Sequence, residues 1–106
     1  MELSVIMPTL ANHEFLLDAC RQIILHTHAD FELIVVYNGK AERIAEVRNK
    51  LCGLGDRIIF VSAPEHSGVA KSYNLGFYNS KGQYVAFVHD DLLIQDGLWF
   101  DKLRRV

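Results

Sequence analysis

Four short runs of mostly apolar residues recur along the chain, and a segment with helical spacing follows each of them. The runs are residues 3–7, 32–37, 57–62 and 83–88. Because they are almost continuously apolar, we expect strands that are buried on both faces. Helices that cover both faces of a parallel sheet provide that burial. The alternation therefore predicts an α/β fold, a three-layer α/β/α sandwich around a mainly parallel four-stranded sheet.

The predicted boundaries of these elements depend on turn and capping residues. Pro8 is expected to stop the first strand, because proline has no N–H group for a sheet ladder. Asn12 can cap a helix that carries an apolar stripe to Ile24, and Asp96 can cap a last helix over residues 97–105. The two remaining helices are predicted over residues 41–51 and 68–79.

The composition fits one packed domain and argues against several classes of protein. The chain has 106 residues, of which 50% are hydrophobic, so a single domain with its own core is expected. A net charge of −2 gives no basis for a nucleic-acid partner. We expect no transmembrane segment and no signal peptide, because long apolar runs and a basic start are both missing. Cys20 and Cys52 lack metal-site spacing, which favours reduced thiols in a cytoplasmic protein.

Polar and turn-forming residues follow all four predicted strands. They are residues 8–10, 38–40, 63–68 and 89–91. The carboxyl ends of parallel strands lie at one edge of a sheet, and ligands of open α/β sheets bind beyond that edge. The sequence therefore predicts a binding site where these four segments meet.

Two adjacent carboxylates, Asp90 and Asp91, end the fourth predicted strand together with His89. Like charges side by side are unfavourable unless a cation or hydrogen-bond donors meet them. Mg²⁺ and Mn²⁺ prefer carboxylate oxygens and bridge to phosphates. The pair therefore indicates a metal-assisted nucleotide or phosphate site. The alternative is a solvated turn in which one aspartate caps the next segment.

Other chemistries find little support in the motifs. The chain has no Gly-x-Ser-x-Gly elbow, and neither cysteine has a histidine partner at a plausible spacing. A Walker loop and a Gly-x-Gly-x-x-Gly fingerprint are both absent, and residues 8–13 contain no glycine to hold a pyrophosphate. Nucleophilic catalysis and an ordinary dinucleotide site are therefore disfavoured.

Four segments resemble the family 2 glycosyltransferases of the GT-A fold. They are residues 4–9, 32–40, 68–76 and 82–91, in the order of that family's motifs. The last of them resembles the strand that leads to the family's DxD-type metal motif. The resemblance implies a Rossmann-like nucleotide-binding half with strand order 3-2-1-4. It also implies a glycosyltransferase that uses a nucleoside diphosphate sugar and a divalent metal, with an unknown acceptor.

The resemblance implies roles for individual residues of the donor site. Thr9 and Asn38, with Pro8 beside them, would line the base pocket of a UDP- or GDP-type donor. Asp90 would lie near the ribose or the metal, and Asp91 would coordinate Mn²⁺ or Mg²⁺ that bridges the diphosphate.

Three further residues belong to the implied site. Gly68 and Lys71 open the third helix, where Lys71 either reaches a phosphate or stays solvated. His89 stands where the family has aspartate, so it is a metal ligand, a hydrogen-bond donor to phosphate, or a residue without a role.

In the family, the acceptor-binding half and the catalytic base lie beyond the metal strand. We therefore expect residues 1–106 to be the N-terminal nucleotide-sugar-binding part of such a domain. The alternative is a non-catalytic α/β module that binds nucleotide or oligomerises. Residues 92–106 carry seven large apolar side chains before the terminal valine, so we expect them to support self-association into a homo-oligomer.

Overall fold

A computed structural model describes residues 1–11 and 15–90 of the chain. Strands alternate with helices throughout this part, as the apolar runs predict. The elements are β1 (Leu3–Thr9), α1 (Leu16–His26), β2 (Phe31–Tyr37), α2 (Ile44–Cys52), β3 (Ile58–Ser62), α3 (Val69–Tyr78) and β4 (Tyr84–Phe87). A short 3₁₀ helix, Ala41–Arg43, leads directly into α2.

The four strands form one sheet in the order β3-β2-β1-β4, and every neighbouring pair is parallel. Both the parallel sheet and the predicted strand order are confirmed. β1 lies inside the sheet and all seven of its residues are buried. The chain builds outward from β1 to β3 and then returns to place β4 on the other side of β1. The switch in strand order therefore lies between β1 and β4, where open α/β sheets bind ligands.

Two apolar clusters cover the two faces of the sheet. On one face, Leu3, Val5 and Met7 pack against Ala19, Cys20 and Ile23 of α1 and Val47 and Leu51 of α2. On the other face, Ile6, Ile34 and Val36 pack with Tyr73 and Leu75 of α3. Alternate residues of a strand point to opposite faces, so continuously apolar strands satisfy both clusters. This confirms the three-layer sandwich.

Pro8 lies inside β1 rather than after it, so the predicted end of this strand is wrong. The Ile6 carbonyl faces β4, where it accepts a hydrogen bond from the Val88 N–H group at 3.0 Å. The Thr9 carbonyl faces β2 and accepts from Asn38. Because consecutive residues of a parallel strand face alternate neighbours, the Pro8 nitrogen points past the end of β4. The strand loses no paired ladder bond there, so a proline is tolerated.

Other predicted boundaries shift by a few residues or lie outside the described part. Helix α2 follows a 3₁₀ turn instead of starting at Ala41, and β4 is shorter than predicted at both ends. The Asn12 cap, the last helix over 97–105 and the apolar residues 92–106 lie outside the described residues. No helix within residues 1–11 and 15–90 is long and apolar enough to span a bilayer.

The turn before β4 is locked to the amino-end edge of the sheet by a buried carboxyl group. Glu32 Oε2 accepts from the Ser4 hydroxyl at 2.7 Å and from the Lys81 N–H group at 2.8 Å. Ser4 Oγ in turn accepts from the Gly82 N–H group at 2.8 Å. A Cβ atom at Gly82 would lie 2.5 Å from the Ser4 nitrogen, so the turn needs glycine for this close approach.

Helix α3 approaches the sheet closely through its small residues. A Cβ atom at Gly76 would lie 2.4 Å from Ile6 Cγ2, so only glycine allows this separation. Ser72, one turn earlier on the same face, is completely buried. The close packing brings Ser72 within hydrogen-bonding reach of the end of β2.

Candidate functional site

The ends of β1 and β4 are joined by a hydrogen bond at the switch in strand order. The Thr9 hydroxyl donates to Asp90 Oδ2 at 2.8 Å, and Thr9 Oγ1 accepts from the Ala11 N–H group at 2.9 Å. Thr9 is buried at the last position of β1, whereas Asp90 is only partly buried. Thr9 therefore holds the Asp90 carboxylate at the mouth of the crevice between the two strands.

Asn38 is held at the end of β2 by its main chain as well as its side chain. Its N–H group donates to the Thr9 carbonyl at 3.0 Å, and its carbonyl accepts from the His66 N–H group at 2.8 Å. Its Nδ2 donates to Ser72 Oγ at 2.9 Å. Within the described residues its Oδ1 is buried without a hydrogen-bond partner. Such an atom in a crevice is a candidate ligand contact, because an unmet buried acceptor is costly.

A cavity of about 410 Å³ opens between the strand ends and the start of α3. It is lined by Pro8, Thr9, Leu10, Asn38, His66, Gly68, Val69, Tyr73, His89 and Asp90. This volume lies in the range of sites that take small molecules. The loops after all of β1, β2, β3 and β4 contribute to the lining, as the strand-end residues predict.

Backbone strain is concentrated in the loops that border this cavity. Ala11 has φ of 53° and His66 has φ of 54°, and both are non-glycine residues in the left-handed region. Gly68, at the start of α3, has φ of 90°. Non-glycine residues in this region are uncommon and cluster at functional sites. The loops after β1 and β3 are therefore held in an uncommon backbone conformation.

The Asp90 charge reaches groups on both faces of the sheet. Burial raises the pKa of the Tyr73 phenol, and Asp90 raises it further. Burial raises the pKa of the Cys20 thiol to about 12; Asp90 adds to this and Arg21 opposes it. Tyr73 belongs to α3 and Cys20 to α1, so Asp90 lies between the two helical layers. Both groups stay neutral near pH 7.

The structure brings most of the predicted site residues together. Six of them line the cavity: Pro8, Thr9, Asn38, Gly68, His89 and Asp90. Lys71 is exposed and opens on a neighbouring groove beside Ala63, Pro64 and Tyr78 instead. Asp91 lies outside the described residues.

The donor atoms at this edge fit a hard divalent cation in part. Asp90 offers carboxylate oxygen, the donor that Mg²⁺ and Mn²⁺ prefer, while the imidazole of His89 matches them less well. Residues 1–11 and 15–90 contain no group of three histidine, cysteine or acidic side chains that could hold a metal ion. A metal held here would therefore need further donors from outside these residues or from a ligand.

Two residues that the sequence assigns to packing or to no role belong to the site. Tyr73 lines the cavity and its hydroxyl donates to the Val88 carbonyl at 3.1 Å. Ser72 holds Asn38 from beneath the cavity. Tyr73 recurs with Phe77 and Tyr78 at helical spacing, a pattern that by itself predicts packing, and no local signal marks either contact. Both depend on the close approach of α3 to the sheet.

Comparison with known proteins assigns the chain to a family. The profile of glycosyl transferase family 2 matches residues 4–105. The chain therefore belongs to glycosyltransferase family 2. An uncharacterized glycosyltransferase of Rickettsia conorii is 30% identical over 96 residues, which cover 90% of this chain and 16% of the relative. The glycosyltransferase GlyA of Streptococcus pneumoniae is 29% identical over 96 residues, which cover 90% of this chain and 14% of GlyA. The chain thus spans a small part of these relatives.

Solved structures support the same fold. The crystal structure of Staphylococcus aureus TarS, residues 1–349, has a TM-score of 0.73 to this chain at 20% identity. The match covers 99% of this chain and 32% of TarS. TarS in complex with UDP-GlcNAc matches with the same TM-score and identity. The α/β sandwich therefore has the GT-A fold.

Proposed function

We propose that this chain is the donor-binding part of a family 2 glycosyltransferase, and that it holds a nucleoside diphosphate sugar at the carboxyl edge of its sheet. The cavity at the switch in strand order carries the proposal. It is lined by Asn38, whose buried Oδ1 has no hydrogen-bond partner among the described residues, and by Asp90, whose carboxylate accepts from the Thr9 hydroxyl. A nucleotide needs both polar recognition of its base and a place for its charged diphosphate.

The roles that we propose for the lining residues are those that the family resemblance implies. Thr9 and Asn38, with Pro8 beside them, form the base side of the cavity, and Gly68 borders it without a side chain. Asp90 lies toward the ribose and the metal, and Asp91 is the main metal ligand, with His89 as a third donor. A bound Mn²⁺ or Mg²⁺ would neutralise the charge that develops on the departing diphosphate. Lys71 has no assigned contact in this proposal.

The donor class is a UDP-type or GDP-type sugar. The UDP-GlcNAc complex of TarS, a protein of the same fold, supports a uridine nucleotide first. The chain covers 32% of TarS and 16% of the Rickettsia relative, so we assign acceptor binding and the catalytic base to the parts of such proteins that it does not match. Self-association through residues 92–106 and a cytoplasmic location stay predictions.

Calorimetric titration with UDP and GDP, with and without Mn²⁺, tests the proposal. We expect one nucleotide to bind in a Mn²⁺-dependent manner. Asp91→Ala should abolish the dependence on metal, and Asp90→Asn should weaken binding about tenfold or more, because each removes a charged contact worth roughly 1.5–3 kcal/mol.

A matched control is Asp18→Asn. Asp18 is an exposed carboxylate on α1 that pairs with Arg21 at 3.2 Å and does not line the cavity. This variant should bind like the wild type, since exposed ion pairs contribute little. Unchanged Mn²⁺-dependent affinity in both Asp90→Asn and Asp91→Ala would reject the metal assignment. No binding of any nucleotide by the wild type would reject donor binding by this chain.

A further inference from the structure

The two polar atoms of the Asn38 side chain have different surroundings. Asn38 is only 4% exposed, so both atoms lie away from bulk water. Nδ2 donates to Ser72 Oγ, whereas Oδ1 has no hydrogen-bond partner among the described residues and belongs to a side chain that lines the cavity. The side chain therefore keeps its amide nitrogen on Ser72 and leaves its buried oxygen without a partner in a residue that borders the cavity.

The hydroxyl of Ser72 determines this orientation. Ser72 Oγ donates its single proton to the Gly68 carbonyl at 2.8 Å, one helical turn earlier. Its oxygen can then only accept, so the atom of Asn38 that faces it must be the amide nitrogen. If the amide were flipped, the Ser72 hydroxyl would have to turn its proton from the Gly68 carbonyl to Asn38 Oδ1, and one of the two side-chain hydrogen bonds would be lost. The chain of bonds from Asn38 through Ser72 to Gly68 therefore favours one direction.

We propose that Ser72 is a positioning residue that selects the base of the donor nucleotide by holding Asn38 Oδ1 toward the cavity. This rests on the proposed function. A fixed acceptor favours a base with a protonated ring nitrogen, as in uracil, thymine or guanine. Cytosine and adenine present a lone pair at the equivalent ring nitrogen, which Oδ1 would repel. The substrate class is therefore a nucleotide with a lactam base.

A purely structural role for Ser72 makes a different prediction. Serine in a helix often bonds to the carbonyl four residues earlier without any function in binding. In that case Ser72→Ala would lower the stability of the protein or unfold it, but it would change the affinities for all bases by the same factor. The ratio of affinities for two bases separates the two roles, because a general loss of folded protein cancels in it.

The test measures the affinity ratios UDP to CDP and GDP to ADP, with Mn²⁺, in the full chain. In the wild type, whichever of UDP and GDP binds more tightly should have an affinity about tenfold or more above that of its counterpart, CDP or ADP. An unmet buried polar contact has a cost of this order. In Ser72→Ala the ratio should fall to within about threefold, because Asn38 can then flip. Ser72→Cys, which is nearly isosteric but a weak acceptor, should give an intermediate ratio and serves if Ser72→Ala does not fold.

The Asn38→Asp background supplies the matched control. Aspartate presents an acceptor in either orientation, so the lactam preference should persist and should be insensitive to Ser72→Ala. An unchanged ratio in Ser72→Ala, or an equal change of the ratio in both backgrounds, would overturn the inference.

Hydrogen exchange of the Asn38 side-chain amide, followed by nuclear magnetic resonance, tests the orientation without any ligand. The amide protons should exchange slowly in the wild type and quickly in Ser72→Ala. Fast exchange in the wild type would refute the chain of hydrogen bonds from Asn38 through Ser72 to Gly68. If no nucleotide binds but exchange is slow, this chain of bonds stands and the proposed function fails. If a nucleotide binds with no lactam preference, the proposed function stands and the inference fails.

Discussion

The two edges of the sheet treat their buried polar groups in opposite ways. At the amino-end edge, Glu32 Oε2 and Ser4 Oγ meet three donors from the neighbouring turn and strand at distances between 2.7 and 2.8 Å. At the carboxyl edge, Asn38 Oδ1 and Ser67 Oγ are buried without a hydrogen-bond partner among the described residues. Both edges contain loops that join strands to helices.

This difference indicates what each edge is for. A closed set of hydrogen bonds stabilises the native state, and opening it costs about 1–3 kcal/mol for each unmet group. A buried acceptor left without a partner weakens folding, and a ligand can satisfy it. Strained backbone also lies only in the loops of the carboxyl edge, at Ala11 and His66, among the described non-glycine residues. We therefore expect substitutions at the first edge to change stability and those at the second to change binding.

Gly82→Ala should have the largest effect on stability. The added Cβ would lie 2.5 Å from the Ser4 nitrogen and 2.6 Å from the Leu3 carbonyl carbon, both main-chain atoms of the central strand. We expect a loss of about 3 kcal/mol in the free energy of unfolding, measured with urea. The control is Gly53→Ala, where the nearest atom would be 3.5 Å away and stability should change little. Equal effects of the two variants on stability would contradict the conclusion that close packing and hydrogen bonds stabilise the amino-end edge.

Alkaline pH should destabilise the protein through Cys20. Its thiol ionises near pH 9 in the unfolded chain but only near 12 in the folded one, mainly because it is buried. The unfolded state therefore loses its proton first, and stability falls as pH rises between these values. The loss should reach about 2 kcal/mol by about pH 10.5.

Urea unfolding at pH 8 and at about pH 10.5 measures this effect. Cys20→Ala should remove the extra alkaline loss, whereas Cys52→Ala should keep it, since the Cys52 side chain is exposed. An identical alkaline loss in Cys20→Ala and the wild type would show that other groups cause it.

Glu32→Gln should cost about 1 kcal/mol, because an amide oxygen can still accept both bonds but accepts them less strongly than a carboxyl oxygen. Nucleotide affinity should not change, since Glu32 lies at the edge away from the cavity. Paired urea and calorimetric measurements check both statements. A change in affinity larger than the change in stability would show that the two edges are coupled.

Asn38→Leu should have the smallest effect on stability, within about 1 kcal/mol of the wild type, because an apolar side chain of similar shape replaces a group that is only half satisfied. Nucleotide binding should be lost in the same variant. A loss of stability as large as that of Gly82→Ala would mean that Asn38 is a structural residue, and the contrast between the edges would fail.

The fold could be predicted from the sequence to a large extent. Continuous apolar strands such as β2 reveal burial on both faces, and the alternation with helices then requires a parallel sheet. The strand order also needed the resemblance carried by residues such as Asn38 and Asp90. The position of Pro8 relative to the end of β1 was predicted wrongly. Whether a proline is tolerated inside a strand depends on where the neighbouring strand ends, and the sequence around Pro8 does not contain that information.

The candidate site could be predicted at the level of its loops but not of its contacts. Thr9, Asn38 and Asp90 follow their strands directly, and parallel strands bring such positions to one edge. The sequence could not distinguish in the same way which of Ser72 and Lys71 belongs to the site, since both lie on one helix a residue apart. The rotation of α3, set where Gly76 meets Ile6, buries Ser72 and exposes Lys71.

The sequence by itself determined the layers, the parallel sheet and the edge at which polar groups collect, because periodicity and turn residues are local properties that each segment carries with it. Only the tertiary structure decided which of those polar groups are satisfied. The bond from Asn38 to Ser72 joins residues 34 positions apart, and the bond from Gly82 to Ser4 joins residues 78 apart. Such contacts depend on how closely separate elements pack, and that separation is set by the whole core.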